Sequence, residues 1–264
     1  MKFHKFIAFL EGEEALNNES DYSPFDLPSI TYTDAKVSSS IITGTGVSQW
    51  TSLSGTQNLN EETGSAQPLY NLTGMDSKPS VVFDGVNDKL SGQMVAGSSF
   101  TLIFLVKTSA SGFLFGATIP GAAMYIWTGN GSTFEVQVGA VTTGKNLPAG
   151  WLNNNKAKIV IWRYDGTHVS SQVLVNGVLK TTTNNGANTN NPGAIPTMPN
   201  FLMARTSTSG WLNGAVSYFN YRNTYMTDEQ INKEVKFILK DNLPTALLNS
   251  NGLPILDANQ DLTY

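Results

Sequence analysis

Residues 100–106 read FTLIFLV, a run in which every side chain except Thr101 is apolar. A strand with one face in water alternates apolar and polar residues, so this run predicts a strand buried on both faces. Its sheet therefore needs cover on each side. The neighbouring segments indicate what supplies it. In FEVQVG (134–139), Phe134, Val136 and Val138 share a face opposite Glu135 and Gln137, the alternation of a half-buried strand. In SSQVLVNGVLKTT (170–182), Asn176-Gly177 sits between two apolar runs, the strongest short-range hairpin signal, and predicts a type I′ turn.

Working outward, short strands are expected at 30–34, 47–53, 81–83, from near 89–90, 100–107, 113–117, 124–127, 133–138, 158–164, 172–182, 201–205 and 215–221, separated by Gly, Asn, Ser and Thr. With no helices interleaved, this order predicts an all-β fold: a two-sheet antiparallel sandwich of jelly-roll type. The Asn-rich stretches LNNNK (152–156) and TNNGANTNNPG (183–193) read as loops, the second long enough to lie at a functional edge. One helix is expected, over 227–241. Thr227-Asp228-Glu229-Gln230 forms a capping box, and Ile231, Val235, Ile238 and Leu239 make a single apolar stripe. A lone amphipathic helix after the last strand caps one end of a sandwich or lies on its outer face.

The ends differ from this body. Residues 1–28 combine an apolar patch (Phe3, Phe6, Ile7, Phe9, Leu10), an acidic cluster and the turn-rich SDYSPFDLPS, and read as an anchoring arm. Lys2 and Lys5 precede an apolar stretch too short for a signal peptide, and Glu11, Glu13 and Glu14 stand where a small-residue cleavage site belongs. Residues 243–264 carry Leu247, Leu248, Leu253, Ile255 and Leu256 without helical period, and read as an extended tail. The domain proper is thus expected over 29–242.

Composition narrows the function. Charged residues make up 14% of the 264 residues, against roughly 25% in an average globular protein, so Ser, Thr, Asn, Gln and Gly must provide the polar surface. The net charge is −4 and the 16 Lys and Arg are scattered, which argues against a nucleic-acid partner. There is no cysteine, hence no disulfide or thiolate site. No run approaches the ~18 apolar residues that a membrane span requires.

Candidate sites are few. Glycosidases built on such a sandwich need paired carboxylates about 5–5.5 Å apart, typically alternating on one strand. Here Glu135 stands alone between Val and Gln neighbours, and a non-enzymatic protein is expected. Asp84, Asn87 and Asp88, in FDGVND after the strand at 81–83, offer hard oxygen donors for calcium, although their spacing is not that of an EF-hand. The same residue types hydrogen-bond their own turn, which is the simpler reading. Trp151 and Trp211 follow glycine in AGW and SGW, which predicts exposure and makes them the candidates for stacking on sugar faces; Trp162, in IVIWRY, suits the core.

Several segments carry a family pattern: Pro24…Leu27-Pro28…Asp34-Ala35; VSQW (47–50) with Ser54-Gly55; QPLY (67–70); PSVVFDGVNDKL (79–90); the FTLIFLVK strand; the V-N-G hairpin; LNGA (212–215); and the closing YRNTYMTDEQINKEVKFILKDN. Over roughly 24–242 this resembles the laminin-G-like, concanavalin A-like lectin/glucanase domains common in bacteriophage virion proteins and bacterial surface proteins. The resemblance implies a sandwich whose loops bind carbohydrate or protein. Virion members of the family are tail, fibre, spike or head-decoration components, which would make this chain a multimeric virion-surface protein contacting other virion subunits and host glycans. A carbohydrate-binding module or adhesin of a bacterial cell surface is the alternative. The calcium ligands of laminin G domains have no residue-by-residue counterpart here.

Overall fold

A computed structural model describes Ser23, Pro24, Leu27, Ser29 and residues 31–129, 131–206, 209–243, 246–250, 252–257 and 261–263. The apolar arm residues Phe3, Phe6, Ile7, Phe9 and Leu10 lie outside them. Two antiparallel sheets pack face to face. One joins β1 (Thr31–Asp34), β5 (Leu69–Met75), β6 (Lys78–Asp84), β8 (Phe100–Thr108), β13 (Lys158–Tyr164), β14 (Gln172–Val175), β15 (Val178–Leu179) and β18 (Asn213–Arg222). Its order is β15-β14-β13-β8-β18-β6-β5, with β1 pairing off β18.

The other sheet has ten strands. These are β2 (Ile41–Thr43), β3 (Val47–Trp50), β4 (Leu59–Asn60), β7 (Leu90–Met94), β9 (Gly112–Ile119), β10 (Ala122–Thr128), β11 (Thr133–Val138), β12 (Val141–Asn146), β16 (Thr183–Thr189) and β17 (Met198–Leu202). They run in the order β16-β12-β11-β10-β9-β17-β7-β4-β3-β2.

The FTLIFLV strand is central, hydrogen-bonded to β13 on one side and β18 on the other. Its two faces enter two separate cores. Leu102, Phe104 and Val106 join Trp50, Phe83, Phe115, Phe134, Trp162 and Phe219 between the sheets. Ile103 and Leu105 point the other way, to the cluster beneath α1 (Asp228–Asn242), with Ile159, Ile161 and Tyr218. The helix therefore lies on the outer face of the eight-stranded sheet. Ile231, Val235, Ile238 and Leu239 are at most 1% exposed, and burying each contributes about 1.5–3 kcal/mol. Thr227 forms the expected capping box with Gln230. Arg163 of β13 pins the same helix end, donating to the Met226 carbonyl at 2.8 Å and the Asp228 carboxylate at 2.6 Å.

The hairpin turn is also as expected: Asn176 and Gly177 have φ of 54° and 80°, both positive as type I′ requires. Asn176 additionally clamps β13, its side chain accepting from the Ile159 amide at 2.9 Å. The hairpin arms are short, however, ending at Leu179 rather than Thr182.

Other differences have local causes. The Asn-rich stretch expected as a loop contains β16, which pairs with β12 at the edge of its sheet. A strand candidate at 201–205 shifts to Met198–Leu202, because Met203 takes a φ of 60° that ends the extended run. The strands β2, β4, β5 and β12 were not anticipated; β5 in particular is mostly exposed and lacks alternation. The tail folds back on itself through the Leu248–Pro254 and Leu256–Leu262 bridges, and Asp261 docks it by pairing with buried Lys158 and with Lys156. Pro24 and Leu27 also belong to the body: their carbonyls accept from the buried guanidinium of Arg222. No helix among the described residues is long and apolar enough to cross a membrane.

Candidate functional site

At one lateral edge of the sandwich, β15 closes the eight-stranded sheet and β16 the ten-stranded one. A cleft of about 490 Å³ opens there, lined by Asn146 and Leu147 at the end of β12, by Pro148 and Trp151 of the following loop, and by Val178, Leu179, Lys180, Thr181 and Thr183. The short β15 exposes Val178 and Leu179 to solvent, 42% and 54% respectively, which makes one wall apolar. A volume of this order suits a ligand of one or two sugar rings.

Trp151 is half-buried, with part of its indole against the inter-sheet core. Over its ring, 5.0 Å from the ring centre, stands the ammonium of Lys180. Lys180 itself is only 6% exposed, its stem leaving the hairpin just after β15. Burial, and then the charge of Lys158, push its pKa below the ordinary lysine value. Trp151 is thus part of a cation–π pair. Lys180 was missed because nothing in LKTT marks a lysine that will meet an indole from another loop.

Trp211 is in a different place. It is half-buried rather than exposed, and its indole nitrogen is buried with no hydrogen-bond partner. Its backbone packs against β9, where a Cβ added at Gly112 would approach the Trp211 carbonyl to 2.6 Å. The two tryptophans do not share a site in the cleft, whose lining includes Trp151 alone of the pair.

Asp84 and Asp88 are engaged in their own turn. One Asp84 oxygen accepts from the amides of Val86 (2.8 Å), Asn87 (3.2 Å) and Asp88 (3.3 Å), while Asp88 accepts from the Asp84 amide at 2.9 Å. Desolvation raises the Asp84 pKa, but the amides outweigh it and hold the carboxyl below its ordinary value. Burial instead raises Asp88. The geometry is that of an Asx turn. Among the described residues, no group of three His, Cys, Asp or Glu could hold a metal ion.

Glu135 lies on the outer face of the ten-stranded sheet, where Asn185 and Asn188 of β16 donate to its Oε2 at 2.6 and 3.2 Å. Asn185 reaches it by crossing Gly144; a Cβ there would stand 2.7 Å from that of Asn185. The same face carries Phe113 and Tyr125 beneath the Arg205 guanidinium, at 5.3 and 5.7 Å, with Trp127 edge-on to Phe113 at 4.7 Å. These side chains hold one another. His168 likewise stitches the sandwich edge, contacting Thr143 at 2.6 Å and Lys145 at 2.8 Å; burial and the Lys145 charge lower its pKa.

No family model matches this chain, and no curated protein matches it. Solved structures do. The binding domain of Paraclostridial Mosquitocidal Protein 1 is similar with a TM-score of 0.57 at 9% identity, covering 89% of this chain and 57% of that one. The Botulinum neurotoxin serotype G binding domain gives 0.56 at 12%, covering 86% and 54%. Trypanosoma rangeli sialidase in complex with sialic acid gives 0.52 at 15%, covering 80% of this chain and 32% of the sialidase. The chain thus spans a little over half the length of the toxin binding domains it matches. At these identities the likeness is one of fold, that of an all-β, two-sheet sandwich.

Proposed function

We propose that this chain is a non-catalytic surface component of a bacteriophage virion and that it contacts host glycans through the cleft walled by Trp151 and Lys180. The cleft carries the reading: it is roomy enough for a sugar, has an apolar wall in Leu147, Pro148, Val178 and Leu179, and offers Asn146, Thr181 and Thr183 as hydrogen-bonding partners. The state of Glu135 supports a binding rather than a cleaving role. Two asparagine amides occupy one of its oxygens, and hydrolysis would need a second carboxylate poised near it. That two of the structures similar in fold are toxin binding domains supports the same reading.

The virion assignment is supported by the PSVVFDGVNDKL pattern and its companions, which resemble virion lectin-like domains, and by a surface rich in uncharged polar residues. In it, the apolar residues Phe3, Phe6, Ile7, Phe9 and Leu10 attach the protein to other virion subunits.

Two experiments test the proposal. Glycan-array binding by the full chain, abolished in Trp151→Ala, is the expected result; an array on which no sugar is retained overturns the glycan role. Mass spectrometry of purified phage particles should find the protein at structural copy number, and its absence overturns the virion role.

A further inference from the structure

The chain has three arginines, and two of them are buried and ion-paired, Arg163 with Asp228 and Arg222 with Glu234. Arg205 differs. It is exposed, and its guanidinium lies over the rings of Phe113 and Tyr125 at 5.3 and 5.7 Å. Among the described residues no carboxylate pairs with it, and no acceptor takes a hydrogen bond from its side chain. Its backbone is held against the outer face of the ten-stranded sheet: a Cβ at Gly116 would stand 2.5 Å from the Arg205 Cα, and one at Gly210 2.8 Å from the Arg205 Cβ. The guanidinium is therefore pre-organised, with its N–H edge left for a ligand. Across the same face, Glu135, Tyr125, Gly116 and Phe201 are successive register partners on β11, β10, β9 and β17, a row about 14 Å long at the usual strand spacing. Glu135 is already engaged by Asn185, Asn188 and the Tyr125 hydroxyl. The face thus carries an arginine without an ion pair among half-buried aromatic side chains, and Trp, Tyr and Arg are the residue types that carry most of the energy of protein interfaces.

From these relations we infer that the outer face of the ten-stranded sheet docks an acidic segment of a partner protein. The carboxylate of an Asp or Glu takes two parallel hydrogen bonds from Arg205, and an apolar neighbour in the segment packs on Trp127 and Phe201. Charge complementarity selects this occupant. A sugar fits the face poorly: Arg205 covers Phe113 and Tyr125, and Phe113 stands at 63° to Trp127 and 80° to Tyr125, so these rings share no open plane on which a pyranose could stack. The surface is separate from the Trp151 cleft, whose lining includes none of Phe113, Tyr125, Trp127, Phe201 and Arg205, and the inference stands whether or not the cleft holds a glycan.

The test uses the full chain on an array of short peptides in which Asp or Glu is flanked by Leu or Phe, each beside its Asn or Gln counterpart, followed by calorimetry of the best pair. The expected result is that retained peptides are acidic and that the amide counterpart binds at least about tenfold more weakly. Arg205→Gln should erase that difference. Arg205→Lys should lose most of it, because an ammonium offers no fork to a carboxylate. Trp151→Ala should leave peptide binding unchanged, which separates this surface from the cleft. Should Arg205→Gln fail to fold, salt decides on the wild type: affinity for the acidic peptide should fall between about 50 and 500 mM NaCl. Retention of no peptide, equal affinity for both members of a pair, or a preference for acid that survives Arg205→Gln overturns the inference while leaving the glycan role standing. Self-association of the chain that depends on Arg205, without peptide binding, would assign the face to a second copy and overturn it too, as would anionic sugars retained through Arg205 when no peptide is.

Discussion

Arg222 of β18 and Glu234 of α1 meet at 3.3 Å with neither side chain accessible to solvent. Glu234 also accepts from the Tyr218 hydroxyl and, at 2.7 Å, from the Asn220 amide, while Arg222 holds the Pro24 and Leu27 carbonyls. Burial, reinforced by the Glu234 charge, keeps the Tyr218 phenol far above its ordinary pKa, so it remains a donor. One carboxylate thus ties helix, sheet and entry segment together. Removing one partner leaves the other charge buried, so Glu234→Ala should lower stability by about 3–5 kcal/mol in urea unfolding. Glu234→Gln, which keeps the shape and part of the hydrogen bonding, should cost less.

The Asn176-Gly177 turn gives a second prediction. Gly177 sits at φ 80°, and a Cβ there would lie 3.3 Å from Val235 of the helix. Gly177→Ala therefore combines backbone strain with a tight contact and should destabilise by about 1–3 kcal/mol. Thr227→Ala, which removes the capping hydroxyl, should cost about 1 kcal/mol in the same measurement.

How far each feature could be read from the chain depends on what encodes it. The two-faced burial of FTLIFLV, the hairpin at Asn176-Gly177 and the capping box at Thr227 are local patterns, and each appears as expected. The strand β16 is not local. Its Asn and Thr residues become a strand because β12 offers a free edge and because Gly144 lets Asn185 reach Glu135. The cleft was half legible. Trp151 was marked by the glycine before it, but Lys180 comes from a hairpin whose meeting with the Trp151 loop is set by tertiary packing. Trp211 shares the glycine context of Trp151, yet its loop folds back onto β9 and takes the indole with it.

Asp261 predicts a pH dependence. Desolvation raises its pKa, but hydrogen bonds from Lys158, Lys156 and Asn154 outweigh that and hold the carboxyl below its ordinary value. A carboxyl depressed in the fold contributes stability that is fully present above its unfolded pKa and lost as pH falls through the folded one. The tail should therefore stay docked at neutral pH and loosen in acid. Comparing wild type with Asp261→Asn by urea unfolding across pH, the wild type should be the more stable at pH 7. The gap should close once the pH drops below the ordinary carboxylate range.

The two candidate tryptophans should part company under truncation. Trp151 lines a cleft and only partly supports the core, so Trp151→Ala should abolish sugar binding with a modest loss of stability. Trp211 lies outside the cleft lining and its ring nitrogen is already buried without a partner, so its value to the fold is packing. Trp211→Ala should leave binding unchanged and cost stability, toward the low end of the ~3–5 kcal/mol that truncating a core aromatic costs, because the residue is half-buried. Calorimetric affinity and urea midpoints on the two variants separate these roles. A Trp211→Ala protein that folds fully and yet loses its ligand would move the binding site away from the β15–β16 edge, to the end of the sandwich where the loop before β18 crosses β9.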